Sequence, residues 1–325
     1  MRPLTRRLPV LAAAAALAVT AAACSSTQAR NTGATASSSP ASSASSRGAA
    51  FPVSIAAANG TVKVGSRPTA ILSLSPTATE MLYAIGAGSQ VKAVDSLSDY
   101  PPQAPRTKLS AYQPNVEAIV AEKPDLVVES GDTGQLTKRL AAFSIPVLEL
   151  PAPSNYAGEI HEFDELGQAT GHVDQARQEA GRVGTELHRI AAAAPHHARP
   201  LTYYYELDQT YYSVTSSTFV GQLLALIGMK SIADQASGAA KSGGYPQLSA
   251  EYIIKANPDY IILADTVCCH QDAAAVARRP GWSGLAAVKA GHIIGLNDDI
   301  ASRWGPRVTD LLRTVETAVA QGGGG

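Results

Sequence analysis

One structural unit is written twice in this chain. "YQPNVEAIVAEKPDLVVES" (Tyr112 to Ser130) is matched by "YPQLSAEYIIKANPDYIILA" (Tyr245 to Ala264). In each, a Tyr precedes a short loop, a Glu, an Ile two residues later, Pro-Asp and a β-rich run. The separation from Glu117 to Asp125 equals that from Glu251 to Asp259. Asn115 and Ser249 suit helix N-caps, which puts Glu117 and Glu251 at the second helical position. Pro124 and Pro258 stop the helix, and "LVV" and "YIIL" open a buried strand.

The match extends outward. "RPTAILSLSPTATEMLYAIG" and "RPLTYYYELDQTYYSVTSSTFVGQLLALIG" both read as Arg-Pro, strand, loop and a helix closed by glycine. Alternating strands and helices predict an α/β chain of two related lobes, each a small, mainly parallel sheet flanked by helices. Between them, Val173, Ala176, Ala180, Val183, Leu187, Ile190 and Ala194 recur at steps of three and four. That is one apolar stripe on a helix of about six turns, a backbone strut joining the lobes. The expected organisation is an N-terminal lobe over 51–154, a linking segment with the backbone helix over 155–195, a C-terminal lobe over 196–321 and a disordered tail over 322–325.

The start of the chain reads as a leader. Arg2, Arg6 and Arg7 precede an apolar run that ends in small residues, the pattern of a secretory signal over 1–23. "AAAC" resembles a bacterial lipoprotein box in which Cys24 becomes the lipidated first residue, with Ala21 where Leu is usual. The Ser/Ala-rich stretch over 24–50 reads as a flexible tether. The mature chain is therefore expected outside the cytoplasm, held to the cell membrane through its lipid anchor only. Losing the leader's three arginines takes the formal charge from −1 to −4, so no basic excess attracts nucleic acid.

Ligands of open parallel sheets bind outside the carboxyl ends of the strands. Those loops are rich in aromatics with a polar handle: Tyr100, Tyr112, Tyr211, Tyr212, Tyr245 and Trp304 lie in or beside them. The chain carries 12 Tyr against 4 Phe, and amphipathic rings suit a half-wet binding surface. Tyr203 and Tyr205 alternate on a strand and read as core. Arg303 and Arg307 flank Trp304 and are placed to meet an anionic ligand group. A local ion pair with Asp298 or Asp299 is the alternative.

"ILSLSPTATEMLYAIG", "SDYPPQA" and the two Glu…Pro-Asp units together resemble the extracytoplasmic solute-binding proteins of vitamin B12 and iron-chelate importers. The resemblance covers nearly all of the chain after the tether. It implies two α/β lobes on a backbone helix and a monomer that binds rather than transforms its ligand. "SDYPPQA" is most similar to the cobalamin-binding branch, where aromatics matching Tyr100, Tyr112 and Tyr245 face the corrinoid. That branch favours Trp where Tyr112 and Tyr245 stand, and a ferric siderophore or haem is the alternative ligand within the family. The resemblance also implies that Glu117 and Glu251 dock onto arginines of a membrane permease driven by a cytoplasmic ATPase. No cofactor or resident metal is expected; the cobalt or iron chelate is cargo.

An extracytoplasmic hydrolase and a free-metal receptor are the alternatives of another class. A hydrolase lacks support: there is no Gly-x-Ser-x-Gly elbow, His-Glu-x-x-His or phosphate-cradling glycine loop. A receptor for free zinc or manganese needs converging His and carboxylate ligands, and the histidines show no such spacing. One stretch, "ADTVCCHQD" (Ala264 to Asp272), looks like a metal or redox centre. The matching loop of the first repeat, "SGDTGQL", has neither Cys nor His, so the shared architecture does not require the triplet. With Cys24 lipidated, Cys268 and Cys269 are the remaining pair in an oxidising compartment. Their expected state is a vicinal disulfide, despite neighbouring Cα atoms ~3.8 Å apart where bridges usually want ~4.4 Å or more. Contact of His270 or a thiol with the metal of a bound chelate is the alternative.

Overall fold

The repeat is visible as topology. The computed structural model describes residues 50–322. An antiparallel hairpin, β1 (Val53–Ala57) and β2 (Gly60–Val64), leads into the first lobe. There follow β3 (Ile71–Ser73), α1 (Pro76–Ala84), β4 (Val91–Val94), α2 (Val116–Ala121), β5 (Leu126–Glu129), α3 (Leu136–Ala141) and β6 (Val147–Glu149). Two helices come next, α4 (Tyr156–Thr170) and α5 (Val173–Ala193). The second lobe comprises β7 (Leu201–Glu206), α6 (Phe219–Ala225), β8 (Met229–Ser231), α7 (Ala250–Ala256), β9 (Tyr260–Leu263), α8 (Ala273–Ala277), α9 (Ala286–Ala290) and β10 (Ile293–Gly295). Helices α10 (Asp298–Ser302) and α11 (Val308–Gly322) close the chain.

Each lobe holds a four-stranded parallel sheet. The strand orders are β4-β3-β5-β6 and β8-β7-β9-β10, so the first strand of each lobe lies between its second and third. The Pro-Asp repeat has a local cause in both. Asp125 accepts hydrogen bonds from the Thr69 and Ala70 amides just before β3. Asp259 accepts from the amide and hydroxyl of Thr202 in β7 and from Arg199. Each Asp thus pins the start of the neighbouring strand, and the two Arg-Pro dipeptides stand where those strands begin.

Tyr203 and Tyr205 are buried, and so is Tyr204 between them. Alternation on one face gives way to burial on both, as a parallel strand covered by helices requires. The linking segment contains more than the strut. Helix α4 runs back along α5, and the two are joined at Gly171, which takes the left-handed conformation (φ 77°) as the C-cap of α4. At Gly167 a Cβ would stand 2.6 Å from the Cβ of Ala176, so the helices touch through small residues. The stripe on α5 is divided. Ala176 and Ala180 belong to the first lobe's core, while Val183, Leu187 and Ile190 belong to the second's. Helix α11 packs its apolar side, from Val308 to Val319, into that second core, and Arg313 on α11 pairs with Glu186 on α5 at 2.6 Å. It runs through Gly322, the first residue of the expected tail. The signal segment, Cys24 and most of the tether lie outside the described residues.

Candidate functional site

A cavity of about 350 Å³ opens between the lobes. The first lobe supplies Ser75 to Ala78 at the start of α1, Leu97, Tyr112, Ser130 and the segment Leu150 to Pro153; α4 supplies Glu162. The second lobe supplies Asp299, Ser302, Arg303 and Trp304. A smaller cavity of about 290 Å³ adjoins it, sharing Pro76, Leu97, Tyr112 and Ser130 and adding Asp95 and Glu129. Tyr112 is 78% exposed and stands at the lip of both. The indole of Trp304 is held by stacking on Phe219, with ring centroids 5.4 Å apart.

Arg303 is present in the cleft wall but already occupied. Its Nη1 donates to Glu80 at 3.3 Å and Asp99 at 2.8 Å; its Nη2 donates to the Leu97 carbonyl and to Asp299 at 2.6 Å. Arg307 pairs with Glu80 through two nitrogens, Nε at 2.7 Å and Nη2. Glu80 lies on α1 of the first lobe and both arginines belong to the second, so these pairs join the lobes at one wall of the cleft. The ion-pair alternative for Arg303 therefore includes Asp299, as the sequence suggests, and two first-lobe carboxylates that it does not. Asp298 instead accepts from the Val267 and Cys268 amides.

The remaining tyrosines are placed elsewhere. Tyr100 lies under the Arg307 guanidinium, 4.1 Å from ring centroid to Cζ, in a separate groove with Tyr83, Arg182 and Arg313. Tyr211 adopts a left-handed backbone (φ 67°) and stacks on the buried Trp282 at 5.8 Å. Tyr245 packs against the second lobe's core. An amphipathic ring satisfies a core edge as well as a cleft, and nothing in the local sequence separates the two fates. The structure thus gathers Tyr112, Arg303 and Trp304, while Tyr100, Tyr211 and Tyr245 do not line the cavity.

Sequence reasoning missed Glu162 and Glu129. Both are buried and both line the paired cavities. Burial pushes the Glu162 carboxyl up to about 8, with the Glu165 charge adding. Burial does the same for Glu129, to about 8, reinforced by Asp132 and Glu149. Behind Glu162 on the same helix, Glu159 is fully buried with both oxygens unpartnered.

Glu117 and Glu251 stand at matched points. Each is the second residue of its helix, after a side-chain cap from Asn115 or Ser249, and each is exposed. Backbone and Ser249 hydrogen bonds hold the Glu251 carboxyl below its ordinary range. Cys268 and Cys269 are joined in a disulfide. Their loop is fixed by the Asp298 carboxylate on one side and by Gln271, which donates to the Cys269 carbonyl at 3.1 Å, on the other. Among the described residues no three His, Cys, Asp or Glu side chains come together as a metal cluster.

The family model for periplasmic binding proteins matches residues 71–300. The chain belongs to the periplasmic binding protein family. Among its relatives in the family, an uncharacterized ABC transporter substrate-binding lipoprotein of Bacillus subtilis is 29% identical over 83% of this chain and 86% of that protein. A vitamin B12-binding protein of Pectobacterium atrosepticum is 30% identical over 78% of this chain and 89% of its own length. The crystal structure of a periplasmic vitamin B12 binding protein of Vibrio cholerae superposes with a TM-score of 0.65 at 22% identity, covering 80% of this chain and 99% of that one. The family fold is thus the fold described above.

Proposed function

We propose that the protein is the extracytoplasmic substrate-binding component of an ATP-driven importer and that it captures a corrinoid between its lobes. The observation that carries this reading is a cavity built from both lobes, with Tyr112 at its lip and Trp304 in its wall, in a chain 30% identical to a vitamin B12-binding protein. A planar, amphipathic chelate suits aromatic contacts of this kind. The protein performs no chemistry on its ligand. It acts as a monomer, is held to the membrane by a lipid on Cys24, and delivers the chelate by docking Glu117 and Glu251 onto the permease, one from each lobe.

The test is a fluorescence titration of the purified protein with cyanocobalamin, cobinamide, haem and several ferric siderophores. Trp304 should report binding, whereas Trp282 is fully buried away from the cavity and supplies background, so a Trp304→Phe variant should lose most of the signal. Saturable binding of a corrinoid supports the reading. Binding of haem or a ferric siderophore with no corrinoid response would replace it, and failure of every chelate would overturn the ligand class.

A further inference from the structure

The cleft is acidic, and the Arg303 in its wall is spent. Carboxyls reach the two adjoining cavities from Asp95, Glu129, Glu162 and Asp299. Arg303 is the cation among the lining residues, and both of its terminal nitrogens are taken by Glu80, Asp99, Asp299 and the Leu97 carbonyl. The start of α1 offers little to an anion. Pro76 has no N–H, and the Ala78 amide already donates to the Ser75 hydroxyl. Glu162 is only 6% exposed, lines the larger cavity and has no hydrogen bond among the influences on its carboxyl. Glu129, 3% exposed, lines the smaller cavity and accepts one long bond, from the Thr137 hydroxyl at 3.5 Å. Buried polar groups are ordinarily satisfied, so these two sparsely bonded carboxyls at the cavity walls have capacity left for a ligand.

We propose that Glu162 and Glu129 read amide groups on the rim of the ligand, so that the cleft takes an uncharged, amide-bearing chelate and rejects its carboxylate counterpart. The inference rests on the corrinoid reading above and sharpens it. A primary amide carries a donor and an acceptor on one group. A neutral carboxyl donates to the amide oxygen; an ionised one accepts from the amide nitrogen. The match therefore holds whichever form the glutamate takes. A ligand carboxylate has only acceptors. It suits the neutral form alone, and it brings a charge into a buried site with no free cation among the described lining residues to offset the loss of water.

The test compares two forms of one molecule by calorimetry at pH 7: cyanocobalamin, and the monocarboxylate made by hydrolysing one of its propionamides. The ring, metal and lower ligand are the same, so shape is held constant while charge changes. The wild-type protein should bind the amide form at least about 30-fold more tightly, roughly 2 kcal/mol. In Glu162→Gln with Glu129→Gln, which supplies amide donors to either form, the ratio between the two affinities should fall to about threefold or less, whatever the change in the amide form's own affinity. Equal wild-type affinity for both forms would overturn the inference and leave the corrinoid reading intact, as would a gap unchanged by the double substitution. If haem, with its two propionates, binds and no corrinoid does, both fall together. The wild-type comparison stands by itself should the double variant fold poorly.

Discussion

Arg307 grips Glu80 across the lobes through two nitrogens, and Arg303 adds a third contact to the same carboxylate. The Glu80 side chain is 1% exposed, so this is a buried charge held between two cations. Removing one partner of such a pair typically costs about 3–5 kcal/mol, because the other charge is left buried and unpaired. Glu80→Ala should therefore lower the melting temperature by roughly 10 °C. It should also speed hydrogen exchange at α10 and at the start of α11. A variant with wild-type melting and exchange would show that the lobes are not held at this wall.

Three buried glutamates set a pH dependence. Burial pushes Glu159 up to about 9, helped by the charges of Glu162 and Glu179, and Glu162 and Glu129 up to about 8. At low pH these groups are protonated in the folded and unfolded chain alike. As pH rises from about 5 to 9 the unfolded chain releases the protons first, so unfolding becomes progressively easier. Melting temperature should fall across that window, and Glu159→Gln should flatten the slope. An equal slope in the variant would remove Glu159 from the explanation.

Glu117 and Glu251 are exposed at matched helix starts. Each also gains from the helix dipole, by about 0.3–1 kcal/mol, so a local role exists for either alone. The pair is argued from its symmetry. Glu117→Ala with Glu251→Ala should leave ligand affinity unchanged and abolish uptake in cells. Normal uptake by the double variant would sink the docking assignment.

The Cys268–Cys269 loop braces the second lobe beside α10, whose residue Asp299 lines the cleft. Replacing both cysteines with serine should weaken chelate binding by no more than about tenfold, roughly 1.4 kcal/mol. A loss beyond about a thousandfold would instead indicate direct contact of the loop with the ligand's metal.

Local signals made much of this fold legible. The Pro-Asp units could be read because Asp125 and Asp259 act on strands next to them in the sheet. The strut could be read because an uninterrupted stripe on α5 faces one core and then the other. Helix α4 escaped notice for the opposite reason: Glu159, Glu162 and Glu165 sit among its buried residues and break the apolar period. The Glu80–Arg307 contact joins residues 227 positions apart, and charge alone does not indicate such a partner. Tyrosine was the weakest guide. Tyr112 went to the cleft lip while Tyr211 and Tyr245 went to core edges, a choice made by packing around them.

The division of α5 has a practical side. Its first half closes one core and its second half closes the other, so neither lobe owns a complete interior. A fragment cut at either end of the helix would expose apolar surface that its own residues cannot cover. Anyone exchanging a lobe with a relative's, to graft a new ligand preference, would have to place the junction in the middle of that helix, near Gly181, and carry half of it with each lobe.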